Sequence, residues 1–67
     1  MTEAKIFEIV REELGLAPEL RIGTGTTLEA LGVDSSDFVN LMLKCDVPRE
    51  KELGIETIGD IVRAVCA

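Results

Sequence analysis

The chain has no histidine, tryptophan or tyrosine, and its only aromatic side chains are Phe7 and Phe38. Without histidine no side chain has an ordinary pKa near neutrality, so general base catalysis would need a strongly displaced carboxylate or lysine. With two phenylalanines and nothing larger, there is no series of rings on which nucleotide bases could stack. Cysteine is scarce too: Cys45 and Cys66 are too few and too far apart for a zinc site, and whether they pair as a disulfide stays open. No secretory leader and no long apolar run is visible, so the expectation is a reduced, cytoplasmic protein that does not enter a membrane.

What is present is short and acidic. Sixty-seven residues make a single domain, residues 1–67, which buries about 60% of its extended surface. That leaves room for one small core and none for a deep catalytic cleft, which favours a binding or carrier role over an enzyme. Thirteen acidic against seven basic residues give a net charge of −6, which argues against nucleic acid as partner and for basic protein surfaces.

Apolar residues recur at helical spacing in three places, so the expected fold is an all-α bundle of three to four helices. The first helix, Thr2 to Leu14, has a stripe of Ile6, Phe7, Val10 and Leu14, widened by Ile9. Glu8 lies three residues before Arg11, where a favourable pair is possible, and four before Glu12. Gly15 supplies a left-handed stop and Pro18 keeps the helix from resuming. A long connection follows from Leu16 to Thr27, with Leu20 and Ile22 as expected anchors into the core. Its Gly23-Thr-Gly-Thr26 run lacks the Gly-Lys-Ser/Thr ending of a phosphate-cradling loop. Thr27 can cap a single turn from Leu28 to Leu31, after which Gly32 releases the chain.

The second helix is expected from Ser35 to about Asp46, with Phe38, Leu41, Met42 and Cys45 on its buried stripe and Pro48 limiting its length. Cys45 on that stripe reads as a small buried hydrophobe, and Cys66 as a partly exposed thiol. Asp34 is placed to be the N-cap and Asp37 sits near the positive end of the helix dipole. Val39 and Leu43 lie one turn apart on a flank, where they either widen the core contact or form an exposed ridge for a partner. A short helical turn around Arg49 to Leu53, with a solvated mixed-charge face, is expected to end at Gly54. The last helix opens on a capping box of Thr57 and Asp60, with Ile58, Ile61, Val62 and Val65 facing inward. Its β-branched content makes it dependent on packing.

Ser35 and Ser36, the only serines, occupy the first helical positions, where free backbone N–H groups favour an anion. Asp-Ser at a helix start is commonly plain capping. The assembly Thr27-Leu28-x-x-Leu31-Gly32-Val33-Asp34-Ser35 in the middle of a small acidic helical chain, however, resembles the acyl carrier protein family. That resemblance is sharp from Leu31 to Ser35 and extends as a pattern over most of the chain. It implies that Ser35 carries 4′-phosphopantetheine, that Asp34 helps a phosphopantetheinyl transferase and its Mg²⁺ reach the serine, and that a long ordered first loop delivers it. It further implies a carrier rather than an enzyme, a monomer holding acyl intermediates as thioesters for fatty acid, polyketide or related biosynthesis.

By the same resemblance, acyl-loading and acyl-using enzymes with basic docking surfaces contact the second helix, here through Asp37, Val39 and Leu43. Ser36, Asn40 and Lys44 depart from the family pattern, which suggests a specialised carrier with its own enzymes. The connection between the second and last helices is short for the family, so a short or polar cargo, left exposed, is expected. The competing reading is an unmodified acidic helical interaction domain whose serines only cap.

Overall fold

The computed structural model describes residues 1–66 and contains three α-helices, α1 (Glu3–Leu14), α2 (Ser35–Lys44) and α3 (Ile58–Val65), with a 3₁₀ helix at Arg49–Gly54 between the last two. The fold is all-helical among the described residues, as the periodicity predicts. The closest approach to a sheet is an isolated antiparallel bridge between Thr27 and Thr57. No described helix is long and apolar enough to cross a membrane.

Helix α1 is the element on which both α2 and α3 pack. Its Ile6 and Val10 are fully buried, with Phe7, Ile9 and Leu14 half-buried around them. Thr2 stands one residue outside the helix as its N-cap, accepting the Lys5 N–H at 3.2 Å. Gly15, at φ 62°, closes it: the Leu16 N–H reaches the Arg11 carbonyl at 3.0 Å and the Gly15 N–H the Glu12 carbonyl at 3.3 Å. Glu8 pairs with Lys5 and not with Arg11. The Arg11 guanidinium instead donates to the carbonyls of Ala17, at 3.1 Å, and Leu20, at 2.9 Å, and so ties the start of the long loop to α1. This corrects the expectation for Leu20, whose backbone is the anchored part while its side chain is 43% exposed. Ile22 packs against the core as expected.

Helix α2 ends two residues earlier than expected. Asp46 takes a left-handed φ of 57°, and the Val47 N–H returns to the Met42 carbonyl at 3.0 Å. The stop therefore precedes Pro48, with an aspartate in the position glycine usually holds. Leu41, Met42 and Cys45 are buried and Phe38 is half-buried.

Helix α3 has only eight residues, too few to persist unaided, and its start is satisfied almost entirely from outside. The Ile58 N–H donates to the Thr26 carbonyl at 3.1 Å and the Gly59 N–H to the Thr24 carbonyl at 2.9 Å. The Asp60 N–H donates to Thr57 Oγ1 at 3.1 Å, and Asp60 Oδ2 accepts the N–H groups of Glu56 and Thr57 at 2.9 and 3.0 Å, completing the expected capping box. Near the other end, Lys51 of the 3₁₀ helix reaches the Ala64 carbonyl at 3.4 Å. Ile58 and Ile61 are fully buried, while Val62 and Val65 lie half-buried at the core's edge.

Two predictions follow from the way α3 begins. Alanine is worth about 1 kcal/mol more than glycine inside a helix, yet a Cβ on Gly59 would stand 2.7 Å from the Thr24 carbonyl oxygen. Gly59→Ala is therefore expected to lower the melting temperature by several degrees, with a net loss of about 1–3 kcal/mol. Gly54→Ala, where a Cβ meets nothing within 4 Å, is expected not to lower it. The two backbone N–H groups, from Glu56 and then Thr57, and after them Arg63, hold the Asp60 carboxyl down from 3.8 to about 2. Its contribution to stability is thus complete above about pH 4 and is lost as the pH falls through 2. Acid unfolding of Asp60→Asn should show a shallower pH dependence in that window than the parent.

Candidate functional site

The site begins with a turn. Thr27 Oγ1 accepts the Ala30 N–H at 3.1 Å, and the Leu28 carbonyl accepts the N–H groups of Leu31, at 3.1 Å, and Val33, at 3.2 Å. Leu28 is buried beneath this turn and Leu31 half-buried, as their spacing predicts. Gly32, at φ 76°, then redirects the chain outward, a conformation a side chain would strain. Asp34 follows in extended backbone and caps α2: its Oδ1 accepts the Asp37 N–H at 2.9 Å and its carbonyl the Phe38 N–H at 2.9 Å. Such a cap is worth about 1 kcal/mol.

Ser35 and Ser36 are thereby placed at the first two positions of α2, both exposed. Their backbone N–H groups have no hydrogen-bond partner among the described residues, because the cap satisfies only the third and fourth donors. An exposed hydroxyl beside two uncommitted donors at the positive end of a helix suits a phosphodiester. Beside Ser35 lies an open groove of about 590 Å³. Its apolar wall comes from Leu28, Val33, Phe38, Val39 and Ile55, and Glu29 and Glu56 stand with Asp34 along it. Ile55 and Glu56, which reach the groove from just before α3, are the site residues that sequence reasoning missed. They carry no motif; backbone pairing between the two segments, including the Leu28 N–H with the Glu56 carbonyl at 2.9 Å, brings them there.

Val39 and Leu43 both face out, 52% and 70% exposed, so they do not widen the core. Asp37 is half-buried in the first turn on the same helix. Asn40 is exposed, and Lys44 extends toward α1, where its ammonium is 3.8 Å from Glu13. Leu53 of the 3₁₀ helix is 99% exposed, a further apolar side chain outside the core that the spacing did not single out.

The cysteines take no part in this surface. Cys45 is fully buried, and burial, followed by the nearby charge of Asp46 and the neighbouring Cys66, pushes its thiol up to about 11. It stays protonated and unreactive at neutral pH. Cys66 is half-buried, and its Sγ donates to the Met1 carbonyl at 3.0 Å; both cysteines are free thiols.

Similarity to known proteins extends over most of the chain. Residues 4–65 match the family described as the phosphopantetheine attachment site. The acyl carrier protein of Afipia carboxidovorans is 32% identical over 65 residues, an alignment covering 88% of this chain and 82% of that one. The acyl carrier proteins of Rhodopseudomonas palustris and Nitrobacter winogradskyi are each 31% identical over 65 residues with the same coverage. No solved structure matches at the stringency these relatives satisfy. With almost its full length matched in this way, the chain belongs to the acyl carrier protein family, as a phosphopantetheine-bearing carrier and not an enzyme.

Proposed function

We propose that Ser35 is the residue that bears the prosthetic group, and that the protein holds acyl intermediates there for partner enzymes of fatty acid, polyketide or related biosynthesis. The observation that carries this is the exposed Ser35 hydroxyl at the first position of a helix whose first two N–H groups are uncommitted. Ser36 shares those donors, but Ser35 directly follows the capping aspartate and borders the groove. Phosphopantetheine supplies a flexible arm with a terminal thiol, on which an acyl group is activated as a thioester. The protein's own part is to fix the root of that arm and to give enzymes an address. Asp34 holds the helix start and leaves its second carboxylate oxygen open to the Mg²⁺ of a transferase.

Asp37, Val39 and Leu43 are the proposed partner contacts: two outward aliphatic side chains beside a carboxylate, suited to an enzyme surface with an apolar patch rimmed by lysine or arginine. A net charge of −6 adds steering at long range. Tethering raises the effective concentration of cargo at a docked enzyme, so binding can stay weak and release fast. We place the protein in the cytoplasm as a monomer, in keeping with two free thiols.

Incubation with a phosphopantetheinyl transferase and coenzyme A is expected to add one phosphopantetheine mass, mapped to Ser35, with Ser36→Ala modified like the parent and Ser35→Ala unmodified. An increment retained on Ser35→Ala overturns the assignment, and no increment on any form leaves an unmodified interaction domain. The proposed cargo is short or polar. Leu41, Met42 and Cys45, of α2 and its C-cap, and Ile58 and Ile61 of α3 already lie in one buried core cluster at 2% exposure or less. Loading a medium-length acyl-pantetheine is therefore expected to raise the melting temperature little over that of the holo-protein, and a large rise would refute this.

A further inference from the structure

Asp60 lies outside the groove beside Ser35, yet its hydrogen bonds lead toward that serine. The peptide group joining Glu56 to Thr57 is held at both edges: its N–H donates to Asp60 Oδ2 at 3.0 Å, and its carbonyl accepts the Leu28 N–H at 2.9 Å. The N–H before it, of Glu56, goes to the same carboxylate oxygen at 2.9 Å. Leu28 is held on its other side too, where its carbonyl takes the N–H groups of Leu31 and Val33 that close the turn ahead of Asp34 and Ser35. Every link beyond the carboxylate is backbone.

The first link is the one that carries charge. A carboxylate is a stronger acceptor than a neutral oxygen, and a peptide group whose N–H is drawn to a negative charge becomes a better acceptor at its carbonyl. The N–H groups of Glu56 and Thr57, and after them Arg63, hold the Asp60 carboxyl down to about 2, so it is charged throughout the neutral range. The bond from Leu28 to Glu56 is thereby strengthened from α3. The other two bonds between these segments, from Ile58 to Thr26 and from Gly59 to Thr24, end on loop residues before the turn and engage neither polar group of Leu28.

We propose that Asp60 is a positioning residue for the modification of Ser35: its negative charge, passed through the Glu56–Thr57 peptide group to Leu28, keeps the turn in the arrangement that a phosphopantetheinyl transferase binds. The inference rests on Ser35 being the attachment residue. A turn released part of the time presents the serine correctly in only part of the population. The affinity of the transferase falls by that fraction, while the chemistry in the bound complex is unchanged.

Asp60→Asn keeps an oxygen acceptor of the same reach and removes the charge. With apo-protein, a phosphopantetheinyl transferase and coenzyme A, below the melting temperature, it is expected to raise the KM for the carrier about fivefold, with kcat within about twofold of the parent's. The Leu28 amide proton resonance is expected to move upfield as its bond to Glu56 weakens. Asp60→Glu, which restores the carboxylate usual in a capping box, is expected to return both readings toward those of the parent. Ile61→Val, which loosens the same helix from its buried face, is expected to change neither. A folded Asp60→Asn protein with the KM and the Leu28 resonance of the parent overturns the proposal and leaves the attachment standing, as does an Ile61→Val protein whose KM rises equally. A parent that takes up no phosphopantetheine removes the attachment and the proposal together, so the two failures are distinguishable.

Discussion

Three backbone hydrogen bonds between residues 24–28 and 56–59 hold this small protein in its working shape. Two of them give α3 the acceptors that its first N–H groups lack, and the third, from Leu28 to Glu56, fixes the turn that leads to Ser35. The long loop, rich in glycine and threonine, would otherwise be the most mobile part of the chain. Clasped to a helix start, and held at its other end by Arg11, it becomes a rigid bracket. Gly59 follows from the same constraint: the loop's backbone passes so close to α3 that no side chain fits between them. The position of the serine is thus set as much by the last helix as by the one it begins.

The faces of α2 divide the work. Leu41, Met42 and Cys45 bury one side against the core, while Val39 and Leu43 leave aliphatic surface in water, which a free domain of this size gains nothing by doing. Lys44, which by charge alone would weaken the proposed acidic docking face, is drawn toward Glu13 on α1. That pair is exposed and contributes little to stability. Its effect is on where a positive charge sits.

Much of this was legible in the sequence because it is local. Asp34 before Ser35, Thr57 before Asp60, Gly15 after Leu14 and the inward spacing of Ile6 and Val10 each declare themselves within four residues, and each stands as expected. What could not be read depends on distant parts meeting. Ile55 and Glu56 belong to the groove because residues 24–28 pair with residues 56–59. Leu20 looks like an anchor until the carbonyl beneath it is seen to be held by Arg11. Pro48 is the stronger local signal for the stop of α2, whereas Asp46 takes the left-handed position first. Of the site itself, the motif carries the proposed attachment serine and its cap, but whether Val39 and Leu43 face inward or outward is beyond periodicity, since both lie on the flank of the stripe.

The interior holds no buried polar side chain among the described residues, and no buried side-chain nitrogen or oxygen is left unpaired. It is built from isoleucine, leucine and valine with one methionine and one cysteine. Aliphatic exchanges that conserve volume usually cost less than about 1.5 kcal/mol. Such a centre can wander through evolutionary time, one branched side chain replacing another, with no network of directional bonds to break. Lineages are then free to diverge deeply inside while the outer surface answers to a different kind of selection.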